Sequence, residues 1–172
     1  MNSVDIRNNL LTFISAGHET TALALTWTFY LLSLHPEIEQ RVKQEIAEAT
    51  RGGPVQAKHI ESLVYTNQVL QEAMRLYRPA ALIVRAALRD VELGNEHIKA
   101  GTTIYVPVYA IHRHERLWRD PDRFDPSRFD PRAVEARDRY AYLPFGAGPR
   151  ICIGQNFAQT EATVVLATLL WS

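Results

Sequence analysis

Residues 145–154 read FGAGPRICIG and contain Cys152, the only cysteine among 172 residues. Three glycines and a proline in so short a stretch suit a loop folded tightly against a flat surface, because glycine lets the backbone approach a partner closely. A lone cysteine is usually a small buried apolar residue. This one, however, precedes a predicted helix near Gln155, whose N-terminal dipole favours the thiolate, and Arg150 adds a nearby cation. The pattern leaves three roles open for Cys152: apolar filler, reactive thiol or ligand.

The composition is that of a folded globular protein. Hydrophobic residues make up 47% of the chain and charged residues 22%, and the formal net charge is zero, all near the average for soluble domains. These values exclude a disordered chain and give no basic field that would recruit nucleic acid or an anionic membrane. The single cysteine excludes a disulfide framework and a multi-cysteine zinc site. The uncharged stretch from Thr20 to Leu34 is short for a membrane span, and we expect a cytoplasmic protein.

The hydrophobic periodicity predicts a mainly helical fold with a small β-sheet. Apolar residues at helical spacing, with no proline, predict one long helix from about Val4 to Leu34, which ends before Pro36. Further helices are predicted over residues 36–51, over residues 66–77 and from residue 155 onward. Short β-prone runs predict strands near residues 82–84, 91–93, 97–98 and 103–106. Residues 119–131 form a meander without periodicity, and the strongly apolar run at 162–171 suggests a piece of a longer protein.

A second motif, AGHETT at residues 16–21, lies in the middle of the predicted long helix. Gly17 costs a helix about 1 kcal/mol relative to alanine, which indicates a groove where a ligand approaches the helix. Thr20 faces the same side, and its hydroxyl can donate a hydrogen bond or bond back to the helix. The alternative is a solvated polar stripe.

Together these motifs resemble those of the cytochrome P450 family. The family pattern Phe-x-x-Gly-x-Arg-x-Cys-x-Gly is met in full by Phe145, Gly148, Arg150, Cys152 and Gly154, and such a match arises by chance in about one chain per 10⁵. In the family the cysteine thiolate holds haem iron and donates electron density that favours O–O cleavage. The resemblance covers essentially all of residues 1–172. It implies the C-terminal part of a haem-binding domain, without the N-terminal part and the C-terminal strands.

The resemblance also implies roles for individual residues. Thr20 would hydrogen-bond dioxygen and Glu19 would relay protons. Haem contacts fall on Cys152 as the metal ligand and on Arg150, Arg85, His112, Phe145, Gly146 and Gly154, with the three cations near the propionates. A buried structural network would join Glu72, Arg75 and Arg128, although an exposed Glu72–Arg75 pair is the alternative. The substrate pocket would be bordered by Phe13, Ala16, Gly17, Leu82 and Ile83.

The implied function is that of a haem-thiolate monooxygenase with haem b as cofactor. It would insert one oxygen atom of dioxygen into a small apolar organic substrate. Its electrons would come ultimately from NAD(P)H, through a ferredoxin or flavoprotein reductase. The alternatives are a haem-binding or isomerase-type protein of the same fold, or a truncated, inactive chain that does not retain haem.

Overall fold

Helices carry most of the chain in the computed structural model, which describes residues 2–171. Within that range the α-helices are α1 (Ser3–Leu34), α2 (Pro36–Thr50), α3 (Val64–Leu76), α4 (Val108–His112), α5 (Pro131–Ala136) and α6 (Gln155–Trp171). Shorter 3₁₀ helices span Ala57–Ser62, Pro126–Phe129 and Gly148–Arg150. The predicted mainly helical fold is confirmed, and the predicted boundaries of the long helices agree to within a few residues.

Local signals define both ends of α1. At its start Asn2 and Asp5 form a reciprocal capping box, in which the Asn2 side chain accepts a hydrogen bond from the Asp5 amide at 2.9 Å. This satisfies an amide that the first turn of a helix leaves unpaired. At its end His35 leaves the helical region (φ −133°, ψ 71°) because Pro36 follows it. Pro36 then occupies the first turn of α2, where its missing N–H costs nothing.

The β-structure differs from the prediction in one respect: it forms two separate two-stranded sheets. Strands β1 (Ile83–Ala86) and β4 (Thr103–Val106) pair antiparallel, and β2 (Val91–Leu93) and β3 (Glu96–Ile98) form an antiparallel hairpin nested between them. Between the two ladders, the Asp90 carboxylate accepts a hydrogen bond from the Ala100 amide at 2.8 Å, and the Ala87 amide and carbonyl oxygen pair with the backbone of Thr102 and Gly101.

Helix α3 lies at the centre of the fold. Ten of its 13 residues are buried, and it contacts α1, α2, α4 and α6. The main core cluster joins apolar residues of α1, α2, α3 and α6, including Leu32, Val42, Ile46, Val69 and Leu166. Burial of α3 on all sides explains how two charged residues, Glu72 and Arg75, come to lie in the interior.

Helix α1 is packed only along its C-terminal half by the residues that the structure describes. Its buried residues are Ala24, Thr28, Leu31 and Leu32, whereas every residue from Ser3 to Thr20 is exposed. The AGHETT motif therefore begins just before the packed half. Within residues 2–171 the structure contains no helix whose length and hydropathy would suit a membrane-spanning segment.

Candidate functional site

The loop that carries Cys152 is closed by its own backbone. The Cys152 amide donates to the Phe145 carbonyl oxygen at 3.0 Å, and the Gln155 amide at the start of α6 donates to the Cys152 carbonyl oxygen at 3.3 Å. Gly146 (φ +80°) and Gly148 (φ +72°) adopt the left-handed conformation that this tight course requires. Cys152 is exposed. It is therefore not part of the core that the described residues form.

Neighbouring elements meet the cysteine loop at two places. A Cβ built on Gly146 would lie 3.7 Å from the Ile83 side chain of β1, so the structure brings two predicted site residues together. Phe145 packs against a cluster that contains Ala24 of α1. A Cβ built on Gly154 would lie 3.9 Å from Cys152 Sγ. Glycine at this position therefore leaves the space next to the thiol, on the side of α6, free of a side chain.

Two residues of the α1 motif, Gly17 and Thr20, lie on the helix face that carries Ala24. Residues separated by about four, seven or eleven positions share a face of an α-helix. Phe13, Gly17 and Thr20 therefore line up with Ala24, which contacts the same cluster as Phe145. A Cβ on Gly17 would meet nothing within 4 Å, and Ala16 and Glu19 are also exposed. The Thr20 hydroxyl donates to the Ala16 carbonyl oxygen at 2.7 Å.

The structure brings Glu72, Arg75 and Arg128 together in the interior. The Glu72 carboxylate accepts two bonds from the Arg75 guanidinium at 2.7 and 2.8 Å, and Arg128 Nε lies 3.3 Å from Glu72 Oε1. The Glu72 and Arg75 side chains are both fully inaccessible to solvent, so the pair is not a solvated surface pair. Burial raises the pKa of the Glu72 carboxyl, and Arg75 and Arg128 oppose that shift.

Arg75 also links this network to the backbone around it. Its Nη1 donates to the carbonyl oxygens of His112 and Pro121 at 2.8 and 2.7 Å, and its Nη2 donates to that of Arg123 at 3.1 Å. One buried guanidinium thus joins α3 to the end of α4 and to the meander. These contacts give the aperiodic segment a fixed course.

The structure contradicts the propionate contact predicted for His112. Its side chain is completely buried, its Nε2 accepts from the Leu143 amide at 2.8 Å, and its Nδ1 lies 3.3 Å from the Arg75 carbonyl oxygen. Burial, with the nearby charges of Arg78 and Arg75, lowers the pKa of His112 to about 3. A neutral ring with both nitrogens bonded to backbone is not a cation for a carboxylate ligand.

The other two predicted cations, Arg85 and Arg150, are exposed. Arg85 is on β1, where its Nη1 donates to the neighbouring Val84 carbonyl oxygen at 2.9 Å, and Arg150 ends the 3₁₀ helix before Cys152. Leu82, just before β1, is also exposed. These side chains are accessible to a ligand beside the cysteine loop.

Comparison with known proteins places this site in a family. The family model described as Cytochrome P450 matches residues 1–172. This chain belongs to the cytochrome P450 family. It is 44% identical over 167 residues to cytokinin hydroxylase of Arabidopsis thaliana, covering 96% of this chain and 32% of that protein. It is 41% identical over 170 residues to pentalenene oxygenase of Streptomyces avermitilis, covering 99% and 38%.

A solved cytochrome P450 structure has the same architecture. The crystal structure of the cytochrome P450DA heme domain superposes with a TM-score of 0.94 at 34% identity, over 99% of this chain and 38% of that one. The chain thus spans about a third of the length of the curated cytochrome P450 relatives reported above.

The donor set of this cytochrome P450 segment fits haem, which the family implies. Within the described residues no group of three or more His, Cys, Asp or Glu side chains could hold a bare metal ion. A single exposed sulfur, that of Cys152, suits an iron whose remaining in-plane ligands come from a porphyrin. Exposed apolar side chains near the two motifs, such as Phe13 and Ile153, supply surface for the flat apolar ring.

Two contacts at the start of the cysteine loop were missed by sequence analysis. The Tyr142 hydroxyl donates to the Gln71 carbonyl oxygen at 2.9 Å, and Arg78 Nε donates to the Pro144 carbonyl oxygen at 2.9 Å. Both bonds end on backbone oxygens about 70 residues away, and no sequence motif marks such partners.

Proposed function

We propose that the protein carrying this chain is a haem-thiolate monooxygenase acting on small apolar organic substrates. One atom of dioxygen enters a C–H bond of the substrate and the other leaves as water, with two electrons and two protons consumed. The observation that carries the proposal is the alignment of Thr20 and Gly17 with Ala24, which shares a packing cluster with Phe145 of the cysteine loop.

The residues around the cysteine loop would bind haem. Cys152 would hold haem through its thiolate, Arg85 and Arg150 would pair with the propionates, and Phe145, Gly146 and Gly154 would lie against the ring. When bound, haem supplies the redox chemistry of dioxygen cleavage.

Proton delivery would fall to Thr20 and Glu19. The Thr20 hydroxyl donates to the Ala16 carbonyl oxygen, and rotation about χ1 would let it donate to an oxygen on the open side of Gly17. Glu19, the preceding residue, would relay protons towards it.

The residues predicted to border the pocket support an apolar substrate. Phe13, Ala16 and Gly17 of α1 and Leu82 and Ile83 around the start of β1 would line it, and none of these side chains is charged. Relatives named as a hydroxylase, an oxygenase and a monooxygenase support the reaction class. Electrons would come from NAD(P)H through a ferredoxin or flavoprotein reductase in the cytoplasm.

The first test is the absorption spectrum of the reduced, carbon-monoxide-bound protein. The red-shifted Soret band of thiolate ligation is expected for the natural sequence, and Cys152→Ser should abolish it. A natural protein that binds haem without this band would overturn thiolate ligation by Cys152.

A second test separates oxygen activation from haem binding alone. An apolar substrate is first identified by the shift in haem spin state that its binding causes. With that substrate present, Thr20→Ala should increase the amount of hydrogen peroxide released per electron pair consumed. Thr26→Ala is the matched control, because Thr26 is also exposed on α1 and also donates to the carbonyl oxygen four residues earlier, at 2.8 Å. Equal coupling in the two variants would favour a peroxide isomerase of the same fold.

A further inference from the structure

The segment that leads into the cysteine loop is held by three hydrogen bonds to backbone atoms. The Leu143 amide donates to His112 Nε2 at 2.8 Å, the Tyr142 hydroxyl donates to Gln71 O, and Arg78 Nε donates to Pro144 O. All three partners belong to α3, α4 or the residue pair following α3. Because the loop closes on Phe145 through the Cys152 amide, the position of these three residues sets the position of the sulfur.

Only one of the three bonds satisfies a buried amide of the loop segment itself. Leu143 and His112 are 8% and 0% exposed, so water cannot readily replace His112 as the acceptor. A buried amide without an acceptor costs about 1–3 kcal/mol, and the loop would shift to find another. The His112–Leu143 bond is therefore the one whose loss most directly displaces the loop.

The same histidine is tied to the buried charge network. Its own carbonyl oxygen accepts from Arg75 Nη1 at 2.8 Å, and its Nδ1 lies 3.3 Å from the Arg75 carbonyl oxygen. Since Nε2 accepts a hydrogen bond, the proton of the neutral ring is on Nδ1, where it can donate to Arg75 O. One residue, through its backbone and its side chain together, thus connects Arg75 to the amide two residues before Phe145.

We propose that His112 is a positioning residue for the cysteine ligand, holding the Leu143 amide so that the loop presents Cys152 to the haem iron. This inference rests on the proposed function, because it assumes that Cys152 is the iron ligand. His112 is fully buried, whereas Cys152 is exposed, so the histidine would act through the backbone of residues 143–152.

The surroundings of His112 keep its Nε2 an acceptor at physiological pH. The guanidinium groups of Arg75, Arg78 and Arg137 face it, and the Tyr142 ring stacks on it with a centroid separation of 5.3 Å. Burial and these cations lower the pKa of His112. A protonated ring would offer two donors and no acceptor to the Leu143 amide.

Two substitutions of His112 distinguish its role as a hydrogen-bond acceptor from its role as a ring that fills space. His112→Phe keeps a flat ring but no acceptor, and His112→Gln places an amide oxygen near the position of Nε2. The measurement uses the full-length protein, loaded with haem, reduced and bound to carbon monoxide. The His112→Phe variant should show only a small part of the red-shifted Soret band. His112→Gln should retain the band. His35→Phe is the matched control, because His35 also uses Nδ1 on a backbone carbonyl oxygen, at 2.8 Å from Leu31 O, away from the loop.

Amide hydrogen exchange on the unsubstituted protein decides the matter if His112→Phe does not fold. The Leu143 amide should exchange as slowly as the core amides of α3, and exchange at the rate of an open loop would overturn the proposal. A full red-shifted band in His112→Phe would overturn it as well. The absence of that band from the unsubstituted haem-loaded protein would instead refute thiolate ligation, so the two failures are distinguishable.

Discussion

Replacing Glu72 by glutamine tests the buried charge network at its centre. The Glu72 carboxylate accepts from Arg75 Nε and Nη2 and from the Asp125 amide at 3.0 Å, with Arg128 alongside. Glutamine keeps one oxygen and turns the other into an NH₂ donor that faces guanidinium donors. Arg75 is 1% exposed, so its charge would be stranded away from water. Breaking a buried pair in this way costs about 3–5 kcal/mol.

Glu39→Gln provides a control with the same change of charge. Glu39 pairs with Lys43 at 2.6 Å on α2, but the two side chains are 29% and 44% exposed, and such pairs contribute less than about 1 kcal/mol. The free energy of unfolding of each variant, measured by urea denaturation against the unsubstituted protein, gives the comparison. Equal losses in the two variants would refute the claim that burial makes the Glu72 network the stronger contributor.

Two further results are expected from the structure. The pKa of His112 is about 3 in the folded protein and 6.5 when unperturbed. Between these pH values the histidine is protonated in the unfolded chain and neutral in the folded protein. Stability should therefore fall as the pH drops from 6.5 towards 3, by up to about 1.4 kcal/mol per pH unit from this group, and a His112→Gln variant with an unchanged pH slope in urea denaturation would contradict this. Gly146→Ala should destabilise the protein by about 1–2 kcal/mol, because φ is +80° at this position. Gly17→Ala should instead stabilise it by up to about 1 kcal/mol, because the added Cβ would meet no atom within 4 Å. Thermal unfolding in which both substitutions shift the stability in the same direction would refute this contrast.

The long helices could be predicted because each carries its own local signals. α1 ends where Pro36 forces it to, and α2 ends at Arg51 and Gly52, which both adopt positive φ. The short helices α4 and α5 were not predicted, because five or six residues complete too few turns to show a period. Asp130 before Pro131 was an available signal for α5, since aspartate favours a helix N-cap and proline suits the first turn.

In the candidate site, too, local contacts could be predicted from the sequence, whereas contacts set by tertiary packing could not. The i,i+3 spacing of Glu72 and Arg75 is a local property, and their contact followed from it. The approach of Arg128 to Glu72 depends on the course of a meander with no period, and only the family resemblance predicted it. His112 was predicted as a propionate contact only because the family resemblance places such a contact at its position. Its burial comes from the packing of α4 against α3, which no neighbouring residue signals.

A single side chain of α3 holds two segments that lie far from it in the sequence. The Arg75 guanidinium donates to the carbonyl oxygens of His112, Pro121 and Arg123, so the end of α4 and the meander share one donor. Removing that donor would deprive all three carbonyl oxygens of the same partner at once. The two segments should therefore loosen together rather than independently.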